Sequence, residues 1–547
     1  MDRQEATNRF KVLQAKIDQD KFHVAPHLRR DFEESLARVK FLSDGLIDES
    51  TVDGRIRSTL VAIAYQVERQ EWKEAVSLKQ IQQAYFDRLT NTFGEPFTLM
   101  RKADGDPYRF SAWFASDDAR VKESLPVTTE FVDEICEFWE QISDPVWIHL
   151  EDSSEVKAVF AGELFPDGRS NIVGSTGIYF DTTILPDPFL KIAPLLPHMK
   201  ESERVGEVLR LGLQVMAYRD LAMADIPVPL VAILPDRHSL QEQYQDFIRL
   251  CASRDAVRHA GRLFGRNFNS MEELADFLKA HKSSEEVVGA LAQPDELVFA
   301  TEWDGSLSSH IDKYLRENKE KLHIESPGQA VLFQILSRFA QANDSLQRSL
   351  DLRATPILRA ETSWLWFNWM LRDNALVNED EASLRLHLAR ALGTTVQSEL
   401  QWLGNVPPAA LLEIRRVGAL EEIRALMGSG LREIISARPN NFNRTGDQVF
   451  ENLHAAFKDH EKKLTDLRNK KWKFAGADIG SFLVVGGIEM AAAVTGVPTY
   501  GVVAAGASML GVVPTGKDLK ERLSSIRKEG KLLNSTGVGI LFKNKRR

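Results

Sequence analysis

Four acidic residues stand where metal chemistry would need them. Asp181 ends the apolar run Gly177-Ile178-Tyr179-Phe180, Asp236 follows Pro229–Leu234 and Pro235, and Glu302 and Asp304 follow Leu297–Thr301. Acids at the ends of neighbouring strands converge on one edge of a sheet. Their charged oxygens suit hard ions such as Mg²⁺ or Mn²⁺, which activate water and neutralise phosphate. The competing reading is plainer: an acid after a short apolar run is an ordinary helix cap or turn former.

The stretch Ile178-Tyr179-Phe180-Asp181-Thr182-Thr183-Ile184-Leu185 resembles the first strand of PIN-type metal-dependent nucleases. That resemblance implies Asp181, Asp236 and Asp304 as ligands of Mg²⁺ or Mn²⁺, with Glu302 completing the acidic cluster. Two departures weigh against it: the long Asp181–Asp236 interval, and Pro186 and Pro188 where the first helix should begin. Outside this alternative no catalytic residue and no cofactor is expected.

Other constellations are weaker. Asp144 with Glu155 and Lys157 resembles the acid pair and lysine of restriction-type nucleases, and Pro294-Asp295 with Glu317 and Lys319 repeats the letters. His23 and His27 are four apart, but Pro26 lies between them and no third ligand is near. Gly511–Lys517 fits the first seven positions of a phosphate-binding loop, yet Asp518 stands where a Mg²⁺-ligating hydroxyl is required. No HExxH, GxSxG or GxGxxG occurs. Cys136 and Cys251 lack an adjacent histidine and read as small core residues. The Trp364-Leu365-Trp366-Phe367-Asn368-Trp369 cluster has acidic and polar neighbours, which favours core packing over base stacking.

The elements that would position these residues fall into a mainly α chain with a central α/β unit, built from several domains. Residues 1–103 read as a helical region and 104–150 as a helical connector that includes a helix around Glu130–Ile142. Over 151–325 strands alternate with helices, the pattern of a partly parallel sheet. Val156–Leu164, a Pro166–Arg169 turn and the segment from Ile172 read as a hairpin. Pro229–Leu234 and Leu297–Thr301 read as buried strands, with helices at about 201–224, 241–251 and 271–281. Residues 326–470 return to helix, and 471–547 form an apolar hairpin with basic flanks.

Phe474 to Val513 holds only two charges, Asp478 and Glu489, and turns at Gly496–Gly501. It resembles, in length and composition, the hydrophobic hairpin of colicin-type pore-forming domains. Lys470, Lys471 and Lys473 precede it, and Lys517, Lys520, Arg522, Arg527, Lys528 and Lys531 follow. An anionic membrane surface is therefore a candidate partner of this region. Each half is short for a hydrocarbon core of about 30 Å, and Glu489 is costly there. Burial against the rest of the protein or a partner subunit is the reading preferred over insertion.

With 547 residues, 43% hydrophobic and 27% charged, the composition is that of a globular chain of several domains. The formal charge is −9, but Lys458 to the end carries 17 Lys/Arg against 8 Asp/Glu, a net of +9. The preceding 457 residues therefore carry −18. Nucleic acid is not expected on so acidic a body. Two cysteines exclude a disulfide scaffold, and the first residues lack the form of a secretory signal. The expected location is the cytoplasm, with the inner-membrane periphery as a further site. The expectation is a non-enzymatic subunit or effector of a prokaryotic multi-protein system such as phage defence, acting through contacts with other protein subunits. The alternatives are the Asp181 nuclease and a membrane-permeabilising effector using residues 474–513.

Overall fold

The computed structural model describes residues 3–19, 24, 26–166, 172–236, 240, 242–374, 381–393, 406–437, 442–474, 477–478, 528, 531–533, 535–538 and 540–541. Helix accounts for 74% of the described residues, around one small parallel sheet; the chain is mainly α with a central α/β unit. It divides into two compact units, one of Met1–Asp87 with Glu137–Ser154, the other of Arg88–Cys136 with Glu155–Arg547.

In the first unit, helices Arg3–Asp18, Pro26–Arg38 and Gly54–Ala75 enclose Phe10, Leu13, Phe32, Ile47, Ile56, Leu60 and Ile63. The third helix starts where Asp53 accepts hydrogen bonds from the amides of Arg55 and Ile56, satisfying two donors the helix itself cannot. Near its end Arg69 bridges Glu151 at 2.8 Å and Asp152 at 2.7 Å.

The second unit holds the sheet: β1 (Lys157–Phe160), β2 (Thr182–Pro186), β3 (Val231–Leu234) and β4 (Ala354–Ile357). The order is β3-β2-β1-β4 and every pair is parallel. β1, β2 and β3 are buried along their whole length, as helices on both faces of a parallel sheet require. The chain runs outward from β1 through β2 to β3. It then passes through helices including Glu242–Leu263 and Pro327–Leu352 and re-enters on the other side of β1 as β4.

Three sequence expectations are corrected here. Residues 156–176 are not a hairpin: β1 is followed by the short helix Ile172–Thr176, and β1 pairs with parallel neighbours β2 and β4. Asp167–Arg169, in the expected turn, lie outside the described residues. Leu297–Thr301 is not a strand. Its buried carbonyls are satisfied by side chains, with Gln334 Nε2 and Trp366 Nε1 donating to Val298 O at 2.7 and 3.0 Å, and Arg338 donating to Phe299 O at 3.0 Å. The fourth strand is instead Ala354–Ile357, in a region expected to be helical throughout. It follows Arg353, a left-handed C-cap at φ 49°, which ends the 26-residue helix before it.

The Trp364–Trp369 cluster is core, as its surroundings suggested: Trp364, Trp366, Phe367 and Trp369 are buried. Beyond Pro408 the chain is helical, ending in the 31-residue helix Phe442–Trp472. That helix buries Phe442, Thr445, Val449, Leu453, Phe457 and His460, one stripe at three- and four-residue spacing. A two-residue antiparallel ladder, Lys473–Phe474 with Ala477–Asp478, follows it. Near the chain end Gly537 N donates to Glu422 Oε2 at 3.0 Å, and Ile540 and Leu541 are buried. A Cβ at Gly537 would lie 2.6 Å from Ile423, so only glycine allows this approach to the Leu420–Gly428 helix. Nearly all of the expected apolar hairpin, and the Gly511–Lys517 motif with Asp518, lie outside the described residues. No helix among the described residues is long and apolar enough to cross a membrane.

Candidate functional site

In open parallel sheets ligands gather at the carboxyl ends of the strands, above all where the strand order reverses. Here that point lies between β1 and β4. Gly162, just past β1, has φ +81°, and a Cβ there would meet Leu358 at 2.9 Å and Ser363 at 3.0 Å. Its carbonyl accepts from Gln341 Nε2 and from Ser363 Oγ, the latter at 2.9 Å. Glu163 accepts from Ala360 N at 2.9 Å, tying the loop after β1 to the one after β4. The protein's own groups close this junction.

The same edge carries a buried ionic network past β2 and β3. Asp187 N donates to Leu234 O at 2.7 Å, and its carboxylate accepts from the amides of Phe189 and Leu190 at 2.8 and 3.1 Å. Asp236 is 2% exposed, enough to demand compensation of its charge. Arg348 supplies it at 2.8 Å and also reaches Asp344 at 2.6 Å, while Lys191 approaches Asp236 at 3.3 Å. Burial works against the Arg348 charge, and Asp344 and Asp236 outweigh it, raising its pKa above the ordinary arginine value. Tyr244 donates to Asp344 at 3.5 Å, and burial, aided by that acid, drives its phenol well above the usual range. Arginine spans two acids here. The arrangement neutralises charge and locks the loop after β3 to the Pro327–Leu352 helix.

Asp181 lies at the opposite edge. It precedes β2, whereas Asp236 follows β3; with Thr183 beside Val231 and Pro186 beside Leu234, the two acids are separated by more than the length of β2, which is about 16 Å at 3.3 Å per residue. Asp181 Oδ2 accepts from Val156 N and pairs with Arg424, each at 2.9 Å. The run Gly177–Phe180 is a turn, and arginines satisfy its carbonyls. Arg415 Nη2 donates to Gly177 O at 3.1 Å and to Phe180 O, and Arg424 Nε donates to Tyr179 O at 2.6 Å. Burial pulls the Arg415 pKa below its ordinary value, to about 10.

Glu302 and Asp304 are exposed, in an irregular segment. The four acids do not meet. Among the described residues no group of three or more His, Cys, Asp or Glu is placed to hold a metal ion. Asp144 lies on the helix Asp118–Glu151 and belongs to the first unit, while Glu155 and Lys157 begin the sheet of the second. Asp295 sits in a short turn, with Glu317 and Lys319 on the helix Leu307–Leu322. His27 is exposed on a helix, and His23 lies outside the described residues. Neither Cys136 nor Cys251 forms a disulfide, and both are half-buried rather than fully in the core.

Sequence reasoning missed Asp187, Lys191 and Arg348. A signal for the first was present: Thr182-Thr183-Ile184-Leu185 is the β-branched stretch, so the acid that ends the strand is Asp187. Arg348 has no local signal, because its role depends on a contact 112 residues away in sequence.

An aromatic face stands apart from the sheet. On helix Pro107–Ala115, which follows the Asp106 cap, Phe110, Trp113 and Phe114 share one side. Trp113 is 57% exposed, yet Arg120 lies over its ring at 4.0 Å and donates to Trp113 O at 3.2 Å. Asp117 holds that arginine at 3.3 Å. Tyr108, also exposed, is covered by Arg210 at 4.8 Å. The helix rests on Glu201–Met216, where Gly206 lets Ala115 approach.

No family model, no curated protein and no solved structure matches the chain.

Proposed function

We propose that this protein is a non-enzymatic subunit of a cytoplasmic assembly, acting by docking a partner protein on the aromatic face of residues 107–120. The observation that carries this is Trp113: a large exposed ring held in one orientation by Arg120, itself fixed by Asp117. Trp, Tyr and Arg are the side chains that most often dominate protein interfaces, and a ring ordered in advance loses less entropy on binding. Supporting this reading, Asp181 and Asp236 are each engaged by arginines and stand at opposite edges of the sheet.

The test is Trp113→Ala in the tagged full-length chain, isolated from its source cells. One partner should co-purify stoichiometrically with the unaltered chain and fall at least about tenfold with the variant, the loss of a hot-spot side chain, while the melting temperature is unchanged. A chain that purifies alone, or whose partner is indifferent to Trp113, would remove the reading. Cleavage of RNA or single-stranded DNA in Mg²⁺ or Mn²⁺, abolished by Asp181→Ala, would replace it with the nuclease.

A further inference from the structure

The helix Glu242–Leu263 has two differently made sides. Inward it buries Ile248, Ala252, Asp255, Ala256 and His259. Outward it presents Phe247, 47% exposed, and Leu250, 70% exposed; among the large apolar side chains described, only Leu532 is more exposed. Lone apolar residues on a surface are ordinary. These two lie one turn apart, in a stripe that steps by three and four on either side of Leu250. Asp246 and Phe247 precede it, Ser253 and Arg254 follow, and all five are exposed or half-buried. This is the spacing of a seam between two helices.

We infer that the stripe is a docking surface for a second copy of this chain, laid antiparallel about a two-fold axis at Leu250. Charge selects both the occupant and its direction. Asp246 and Arg254 stand four residues before and four after Leu250. In an antiparallel pair centred there, each residue faces the one equally far beyond the centre, so Asp246 meets Arg254 of the second copy, twice over. A parallel pair would set acid on acid and arginine on arginine. Leu250 meets itself, and Phe247 meets the small Ser253 with the neighbouring guanidinium near its ring. Both charges can be recruited cheaply. Asp246 is well exposed and pairs with Arg249 at 3.2 Å, a surface contact of small worth. Arg254 is also well exposed and lies 3.3 Å from Asp255, which Asn343 and Asn374 hold independently at 2.9 and 3.2 Å. The stripe is on a different helix from Trp113 and does not rest on the role proposed for that ring. One helix face is at the small end of stable interfaces, so the dimer is reversible and half formed at roughly 10 µM.

The experiment is sedimentation velocity on the purified full-length chain from about 1 to about 200 µM, the range that brackets such an affinity. The unaltered chain should pass from monomer to dimer. Leu250→Lys, at so exposed a site, should keep the melting temperature and weaken dimerisation about a hundredfold, as loss of a central anchor with two like charges opposed would do. Asp246→Lys and Arg254→Glu should each weaken it at least about tenfold. Mixed in equal amounts, these two variants should dimerise again, because each supplies the charge the other lacks. A chain that stays monomeric throughout, a dimer indifferent to Leu250→Lys, or two well-folded charge variants that fail to recover on mixing would overturn the assignment. Should Arg254→Glu lower the melting temperature, Leu250→Lys and Asp246→Lys decide the matter without it. A monomeric chain that loses a different protein on Leu250→Lys would give the stripe to that protein instead.

Discussion

Arg348 shows how a side chain that looks catalytic can be structural. It is 3% exposed and bridges Asp236 and Asp344, so replacing it removes the arginine charge shared by two poorly solvated carboxylates. Arg348→Ala should lower unfolding stability by about 3–5 kcal/mol, measured by urea titration, because breaking a buried pair leaves uncompensated charge. Arg424→Ala beside Asp181 should cost less, since both of those side chains retain some access to water. The acids were visible in the sequence, but of those expected at strand ends only Asp236 follows a strand; the apolar runs before Asp181 and Glu302 are not strands. Their partners were not visible. Arg348 and Arg424 are separated from Asp236 and Asp181 by 112 and 243 positions, and nothing local marks an arginine as the one that folds back.

At the scale of elements, one network ties three segments of the second unit together. Arg262 on Glu242–Leu263, Arg372 and Asp373 on Glu361–Asp373, and Glu296 in its turn share ion pairs, with the fully buried His259 ring stacked on Trp369 at 5.2 Å. Burial pushes the Asp373 carboxyl up, but His259, Arg372 and Arg262 outweigh it and hold its pKa below the ordinary value. A carboxyl depressed on folding contributes stability that is fully present above its unfolded pKa of about 3.9 and is lost as pH falls through the folded one. Asp373→Asn should therefore cost about 2 kcal/mol at pH 7, and the difference from the parent should shrink only below about pH 4, as followed by chemical denaturation across pH. Elements with a clear period were legible: the helices near 201–224, 241–251 and 271–281, and strand β3. Gly177–Phe180 and Leu297–Thr301 were not, because an apolar run bonded by side chains has the same letters as a strand bonded by its neighbours. β4 escaped for the opposite reason. Its four residues, Ala354-Thr355-Pro356-Ile357, carry a proline that only a sheet edge tolerates.

For the whole molecule, the division into two units makes a prediction about where damage stays. Leu60 is wholly enclosed in the core of the first unit. Leu60→Ala should remove about 2–5 kcal/mol there. Hydrogen exchange should then speed up across Arg3–Asp18, Pro26–Arg38 and Gly54–Ala75, while the amides of Glu242–Leu263 and Pro327–Leu352 keep their protection. Acceleration spread evenly over both would mean a single cooperative body.

The seating of Gly537, Ile540 and Leu541 on the Leu420–Gly428 helix has a wider meaning. A contact that admits no Cβ acts as a gauge of register: a chain end slipped by one residue would bring Thr536 or Val538 to the same spot and unseat Ile540 and Leu541.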